Sequence, residues 1–223
     1  MDVRRVMPLL ALALCVSGPA AAQILAPSVD EVPLADLLEI LLLERELVAV
    51  DAASGGQTTA ELHLGERVMW SGTRGKVGVV LTDQRMLAVA VDSAAWQEMR
   101  YQQAERPPEE AMLGDRVALV VTSRRALAFN AGGAGLVEYR LGPGETVLFS
   151  RVGGNVGVVV TDRKALGFSP SAGGFFASRL QLRERVESVE TRSNLATVTT
   201  NRRVLIFRAP SGEWSERRLD LSS

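Results

Sequence analysis

The sequence predicts an all-β protein: a five-bladed β-propeller whose repeated unit of about 39 residues holds four short strands. Three observations predict it. VVLTDQRMLAV (from Val79), LVVTSRRALAF (from Leu119), VVVTDRKALGF (from Val158) and TVTTNRRVLIF (from Thr197) are versions of one string. Their threonines, Thr82, Thr122, Thr161 and Thr200, stand 40, 39 and 39 residues apart. The run before each threonine is largely apolar without alternation. Such a strand needs cover on both faces, and small sheets stacked radially supply it.

The first 22 residues stand apart from the repeat. Arg4 and Arg5 make a charged start, Val6 to Val16 is apolar, and Ala20-Ala21-Ala22 is a small-residue cleavage site. That pattern is a secretory signal peptide, cut after Ala22. The apolar run is short for a membrane anchor. Residues 23–223 then form a single propeller domain of a periplasmic or secreted bacterial protein. The one cysteine, Cys15, lies in the removed segment. Export without disulfides requires a core that is stable unaided.

A fifth copy lies upstream. Thirty-nine residues before Thr82 stands Leu43, with Val48 and Val50 after it and Leu41, Leu38 and Val29 before it. Every one of these is apolar, as the register demands. The stretch PLADLLEILLLERE (from Pro33) also has leucines at helical spacing. Register makes it strand and gives five blades; spacing makes it helix and leaves four, or an incomplete fifth.

Each unit divides into strands A (FFASRLQL), B (TVLFSRV), C (VGVVVT) and D (KALGFSP). The B–C turns carry Gly75, Gly154 and Asn194, which tolerate positive φ. In the C–D turns TDQR, TSRR, TDRK and TNRR, the residue after the threonine is expected to pin the hairpin. The short A–B links (LGE, LGPGE, LRE) read as hairpins and the Gly-rich D–A links as crossovers. That phase starts the chain at a B strand and ends it with a spare A strand, EWSERRLDL (from Glu213). The C-terminal strand is therefore expected to pair with the N-terminal blade and close the ring.

The D–A stretches LVAVDAASGG (from Leu47) and VLIFRAPSGEW (from Val204) resemble the blade repeats of quinoprotein-type (PQQ-like) propellers. They share a hydrophobic D strand, a Gly turn and a Trp in the next A strand. The resemblance implies a bladed fold. It covers about a dozen residues per repeat and carries no quinone to this chain, for which no cofactor is expected.

All C–D turns of such a meander share one end with the A–B links. That end collects Arg45, Arg85, Arg124, Arg125, Arg163, Lys164, Arg202 and Arg203. One reading is a basic rim for an anionic partner. The other is local pairing: Glu66, Glu145 and Glu184 sit sixteen residues before their threonines, within reach of Arg85, Lys164 and Arg203. The first copy has Pro27 and Glu46 at those positions and lacks both partners together. Trp96, Phe175 and Trp214 share one repeat position, Trp70 and Phe149 another; both sets are expected to pack between blades.

Catalytic signals are weak. His63 is the only histidine, and metal or Ser-His chemistry wants more partners than that. Glu61, Glu98 and Glu138 on A strands are the carboxylates a glycosidase would draw on. The formal charge of −1 gives no global attraction to nucleic acid. The expected function is a monomeric, non-catalytic scaffold that presents loops to a protein or an anionic glycan or other envelope component. The contact surface would be the basic turns and the irregular 101–112 segment, where Pro107 and Pro108 break the repeat. A carbohydrate-binding lectin and a glycosidase are the alternatives.

Overall fold

The computed structural model describes residues 37–91, 93–133 and 135–219. The signal peptide, and the first copy's Pro27 and Val29, lie outside these residues.

Five antiparallel sheets follow one another along the chain. The first holds β1 (Leu38–Leu42), β2 (Glu46–Asp51) and β3 (Gln57–Glu61). The second holds β4 (Val68–Arg74), β5 (Val77–Thr82), β6 (Arg85–Ala90) and β7 (Gln97–Arg100). The third holds β8 (Met112–Leu113), β9 (Val117–Val121), β10 (Arg125–Asn130) and β11 (Gly135–Arg140). The fourth holds β12 (Val147–Val152), β13 (Gly157–Thr161), β14 (Lys164–Ser169) and β15 (Gly174–Arg179). The fifth holds β16 (Val186–Thr191), β17 (Leu195–Thr200), β18 (Arg203–Arg208) and β19 (Glu213–Arg218). These are the meander blades of a β-propeller-type repeat protein. The leucine-rich stretch of the first copy is strand: Leu38–Leu42 pairs with Leu47–Asp51.

Within each four-stranded sheet the order is B-C-D-A, and two expectations are thereby corrected. The Gly-rich D–A segments are hairpins, not crossovers. Gly55, Gly135, Gly173 and Gly212 take φ of 70, 74, 69 and 67°, a region that only glycine enters without strain. The short A–B segments are the crossings between sheets. The C-terminal strand β19 consequently pairs with β18 and completes its own sheet. Among the described residues it pairs with no strand of the first sheet; the strand expected near Val29 to close the ring with it lies outside them.

The core lies between consecutive sheets. Val79, Leu81 and Met86 of the second sheet pack on Val120, Leu127 and Phe129 of the third. Leu119 and Ala128 meet Val159, Leu166 and Phe168, and Val156, Val158 and Val160 meet Val198, Leu205 and Phe207. The fit is close where Phe207 lies over Gly167: a Cβ there would run into the ring. Trp96 and Trp214 bridge neighbouring sheets as expected, their indole N–H groups donating to the carbonyls of Thr58 and Phe176, both at 2.9 Å.

One end of the stack is knitted by backbone. Between successive B–C turns, Lys76 N–H donates to Asp115 C=O (2.8 Å), Arg116 to Gly154 (3.0 Å) and Asn155 to Ser193 (2.6 Å). Gly75 (φ 52°) lies so close to Asp115 that a Cβ would sit 2.6 Å from its carbonyl oxygen. Corresponding ends of the sheets are thus held side by side, and the opposite end gathers the C–D turns and the A–B crossings.

Candidate functional site

Each crossing is built as a turn with a locked carboxylate. Glu66, Glu105, Glu145 and Glu184 donate their N–H to the carbonyl three residues back at 2.9–3.0 Å. The residue before each glutamate has positive φ: Gly65 (79°), Ala104 (61°), Gly144 (66°) and Arg183 (64°). An i to i+3 bond with positive φ at the third residue has the character of a type II turn, for which Pro143-Gly144 is the favoured pair. The glutamate side chain then accepts the N–H of the turn's first residue, at 2.8 Å from His63 and 2.6 Å from Gln181.

The carboxylate also faces the next C–D turn. Thr82, Thr161 and Thr200 donate their hydroxyls to Glu66, Glu145 and Glu184 at 2.6–2.8 Å, and Thr122 donates to Glu105. The same oxygens accept backbone N–H groups two and three residues on. The threonine, not the residue after it, therefore pins the hairpin. Asp83, Asp162 and Asn201 instead accept the N–H of Arg67, Thr146 and Arg185 in the crossing, at 2.9–3.0 Å.

A buried cation completes the set. Arg85 grips Glu66 through Nε and Nη2, both at 2.9 Å. Arg203 grips Glu184 at 2.9 and 3.0 Å, and Arg125 grips Glu105 at 3.0 and 2.6 Å. Such bidentate forks suit arginine. Nη1 of each arginine donates to a second carboxylate, Glu98, Glu138 (2.5 Å) or Glu216. Each fork also donates to a backbone carbonyl of the preceding sheet: Glu61, Arg100 and Arg179, at 2.8–3.0 Å. The fourth set uses Lys164, which bonds Glu145 (3.1 Å) and the hydroxyl of Tyr139 (3.2 Å). The position that would hold its second carboxylate is Ala177.

These latches hold one sheet to the next. Burial alone would raise the pKa of Glu66, Glu105, Glu145 and Glu184. The bonds from arginine or lysine, threonine and backbone N–H outweigh it and hold all four below the ordinary glutamate value. The hydrogen bond from Arg125 likewise lowers Glu138. Glu98 and Glu138 are thus partners of buried arginines.

The eight basic residues singled out in the sequence therefore divide. Arg85, Arg125 and Arg203 are buried, and Lys164 is half-buried on its latch. Arg124, Arg163 and Arg202 are exposed at the same repeat position, as is Arg45 in the first sheet. Their carbonyls accept the N–H of Leu141, Leu180, Leu219 and Leu62 at 2.8–3.0 Å, which fixes the backbone beneath each one. Arg163 Nε stands 3.8 Å from Asp162, both half-exposed, a geometry that contributes little. A cleft of about 500 Å³ opens here between the third and fourth sheets, with Arg124, Arg140 and Pro143 in its walls.

Two sets of partners escaped the sequence reading. Glu105 stands seventeen residues before its threonine instead of sixteen, because the irregular segment holds one extra residue. Glu98, Glu138 and Glu216 follow their arginines by a constant thirteen, a spacing that was available.

No family model matches the chain, and no curated protein does. Among solved structures it is similar to Prp20p from Saccharomyces cerevisiae, at 10% identity and a TM-score of 0.42, covering 78% of this chain and 55% of that one. It is similar to apo AztD from Citrobacter koseri at 13% identity and a TM-score of 0.39, covering 82% and 60%. HIRA (residues 644–1017) gives 11% identity and 0.40, covering 86% and 58%. The chain spans between half and two thirds of the length of these three structures.

Proposed function

We propose that the chain is a non-catalytic binding module that presents one end of its sheet stack to an anionic partner. The observation that carries this is the division of the basic residues. In the third, fourth and fifth sheets the latch neutralises one cation and leaves a second, Arg124, Arg163 or Arg202, exposed on a rigid turn. Repeated cations on a fixed frame add their attractions without loop ordering. In this reading residues 23–223 act as one monomeric domain, exported to the periplasm or beyond after cleavage following Ala22. The mass of the protein recovered from a periplasmic extract checks the cleavage.

Retention on an immobilised sulfated polysaccharide tests the basic end. The wild type should elute only with added salt. Combined Arg124→Glu, Arg163→Glu and Arg202→Glu should abolish retention with no change in circular dichroism. Unaltered retention would end the proposal.

A second reading has its own observation. At the opposite end a polar cleft of about 290 Å³ is lined by Arg116, Asn130, Asn155, Ser171 and Asn194. Asn155 donates to Asn194 at 2.9 Å, and its own Oδ1 is buried without a hydrogen-bond partner. Amides converging on a cleft suit the hydroxyls of a carbohydrate. Chemical shifts of the Asn155 and Asn194 amides that move with an added oligosaccharide would support a lectin. A flat response across a glycan panel would remove that reading.

A further inference from the structure

Among the described residues seven large apolar side chains stand exposed: Leu41, Leu42, Leu43, Leu64, Met69, Leu148 and Leu182. The topology puts all seven at the arginine end. Leu41 and Leu42 close the C strand of the first sheet, and Leu43 begins its C–D turn. Met69 and Leu148 are the unpaired residues of β-bulges one step inside β4 and β12. Leu64 and Leu182 occupy the second position of their crossing turns and are 87% and 86% exposed. The opposite end, made of Gly-, Ala- and Ser-rich hairpins, has no exposed large apolar side chain among the described residues.

The turns do not require these leucines. Gln103 and Pro143 occupy the same position in the other two crossings, and the turn bonds are equally short there. A single exposed leucine is ordinary on a protein surface; what needs an account is that, among the described residues, all the exposed large apolar side chains stand at one end. The leucines also differ from a protein-binding hot spot, in which a few anchors cluster in one desolvated patch. Leu64 and Leu182 project from the first and fourth crossings and Met69 and Leu148 from the bulges of the second and fourth sheets; only Leu41, Leu42 and Leu43 stand side by side.

Resting on the reading of a basic binding end, we propose that this end docks peripherally on an anionic lipid bilayer. A fluid surface adapts to protrusions spread along a row, which a rigid partner could do only with matching pockets. Leu64 and Leu182 enter the boundary between headgroups and acyl chains. Arg124, Arg163 and Arg202 lie at the level of the phosphates, attracted by the surface potential and screened by salt. Exposed carboxylates stand at the same end as well: Glu44, Glu109 and Glu110, and Asp162 and Glu187 on the fourth and fifth sheets.

Sedimentation with vesicles tests this. The full chain should bind vesicles containing phosphatidylglycerol and leave pure phosphatidylcholine vesicles nearly free. The triple arginine reversal should reduce binding at least about tenfold. The double change Leu64→Ser and Leu182→Ser should reduce it about tenfold while leaving polysaccharide retention intact. All variants carry the same residues 1–36, so differences among them report on the arginine end. Equal binding to both lipids, or full binding by the double leucine variant, overturns the lipid proposal. If arginine-dependent polysaccharide retention persists while vesicles are ignored, the basic-end reading survives and only the bilayer falls. If both are lost, both fall.

Discussion

The fourth and fifth sheets are copies of one unit with different fates. In the fourth, β13 reads GVVVT and every residue is buried. In the fifth, β17 reads LATVTT, and buried and half-buried residues alternate. The face that the fifth sheet turns inward is apolar in both copies: Ala196, Val198, Leu205 and Phe207 pack on the fourth sheet. The other face carries Leu195, Thr197, Thr199, Val204 and Ile206, all half-buried. Val158 and Val160, buried under the fifth sheet, are the repeat equivalents of Thr197 and Thr199. A continuous apolar strand is thus a property of having two neighbours, not of the repeat as such.

The contrast can be broken by removing what covers the fourth sheet. Truncation before Glu213 removes β19 with Trp214, whose ring lies 5.0 Å from that of Phe207, and the latch partner Glu216. It should cost more than any single substitution, read as a fall in the denaturant midpoint. Leu166→Ala in the middle of the stack should cost about 2–5 kcal/mol. A latch is next: Glu184→Ala leaves Arg203 buried beside one half-exposed carboxylate, at a cost of about 3 kcal/mol. The exchange Val158→Thr should cost about 1–2 kcal/mol. Its mirror, Thr197→Val, should lie within about 0.5 kcal/mol of neutral, and equal costs for the two would show that the fifth sheet is covered after all.

Acid should separate the latches from the apolar interfaces. The four latch glutamates titrate below their ordinary value of 4.5 when folded. The unfolded chain therefore takes up protons first as pH falls. Their contribution is complete above about pH 4.5 and disappears as pH drops through the lowered values. Glu184→Gln should flatten this acid slope. The smallest effect expected is from Arg183→Gly: it relieves a left-handed residue and should leave the midpoint equal or raise it by about 0.5 kcal/mol.

Much of this was legible. The threonine period showed four units, the apolar register around Leu43 pointed to a fifth that leucine spacing left open, and the non-alternating C strands announced stacked sheets. The alternation in LATVTT was equally visible and marked the terminal sheet; it was passed over because the string was read for its likeness to the others. The phase of the unit is not legible from glycine content, because the Gly-rich segments are tight hairpins rather than slack crossovers. In a two-stranded ribbon glycine supplies the left-handed residue that closes the turn, whereas the crossings need a glutamate at a fixed offset more than they need length. Half the basic residues proved internal, because an arginine three residues after its threonine points inward while the one beside it points out. Period cannot distinguish them; the thirteen-residue offset to a second carboxylate can.

Each latch draws its partners only from the crossing it secures and the two sheets that crossing joins. Nothing in it depends on how many others exist. A gene that slipped by one period during copying would encode a longer protein with every local bond already provided, and with one more arginine in the row. Selection for a wider or stickier contact could therefore act through copy number alone, without inventing a new side chain.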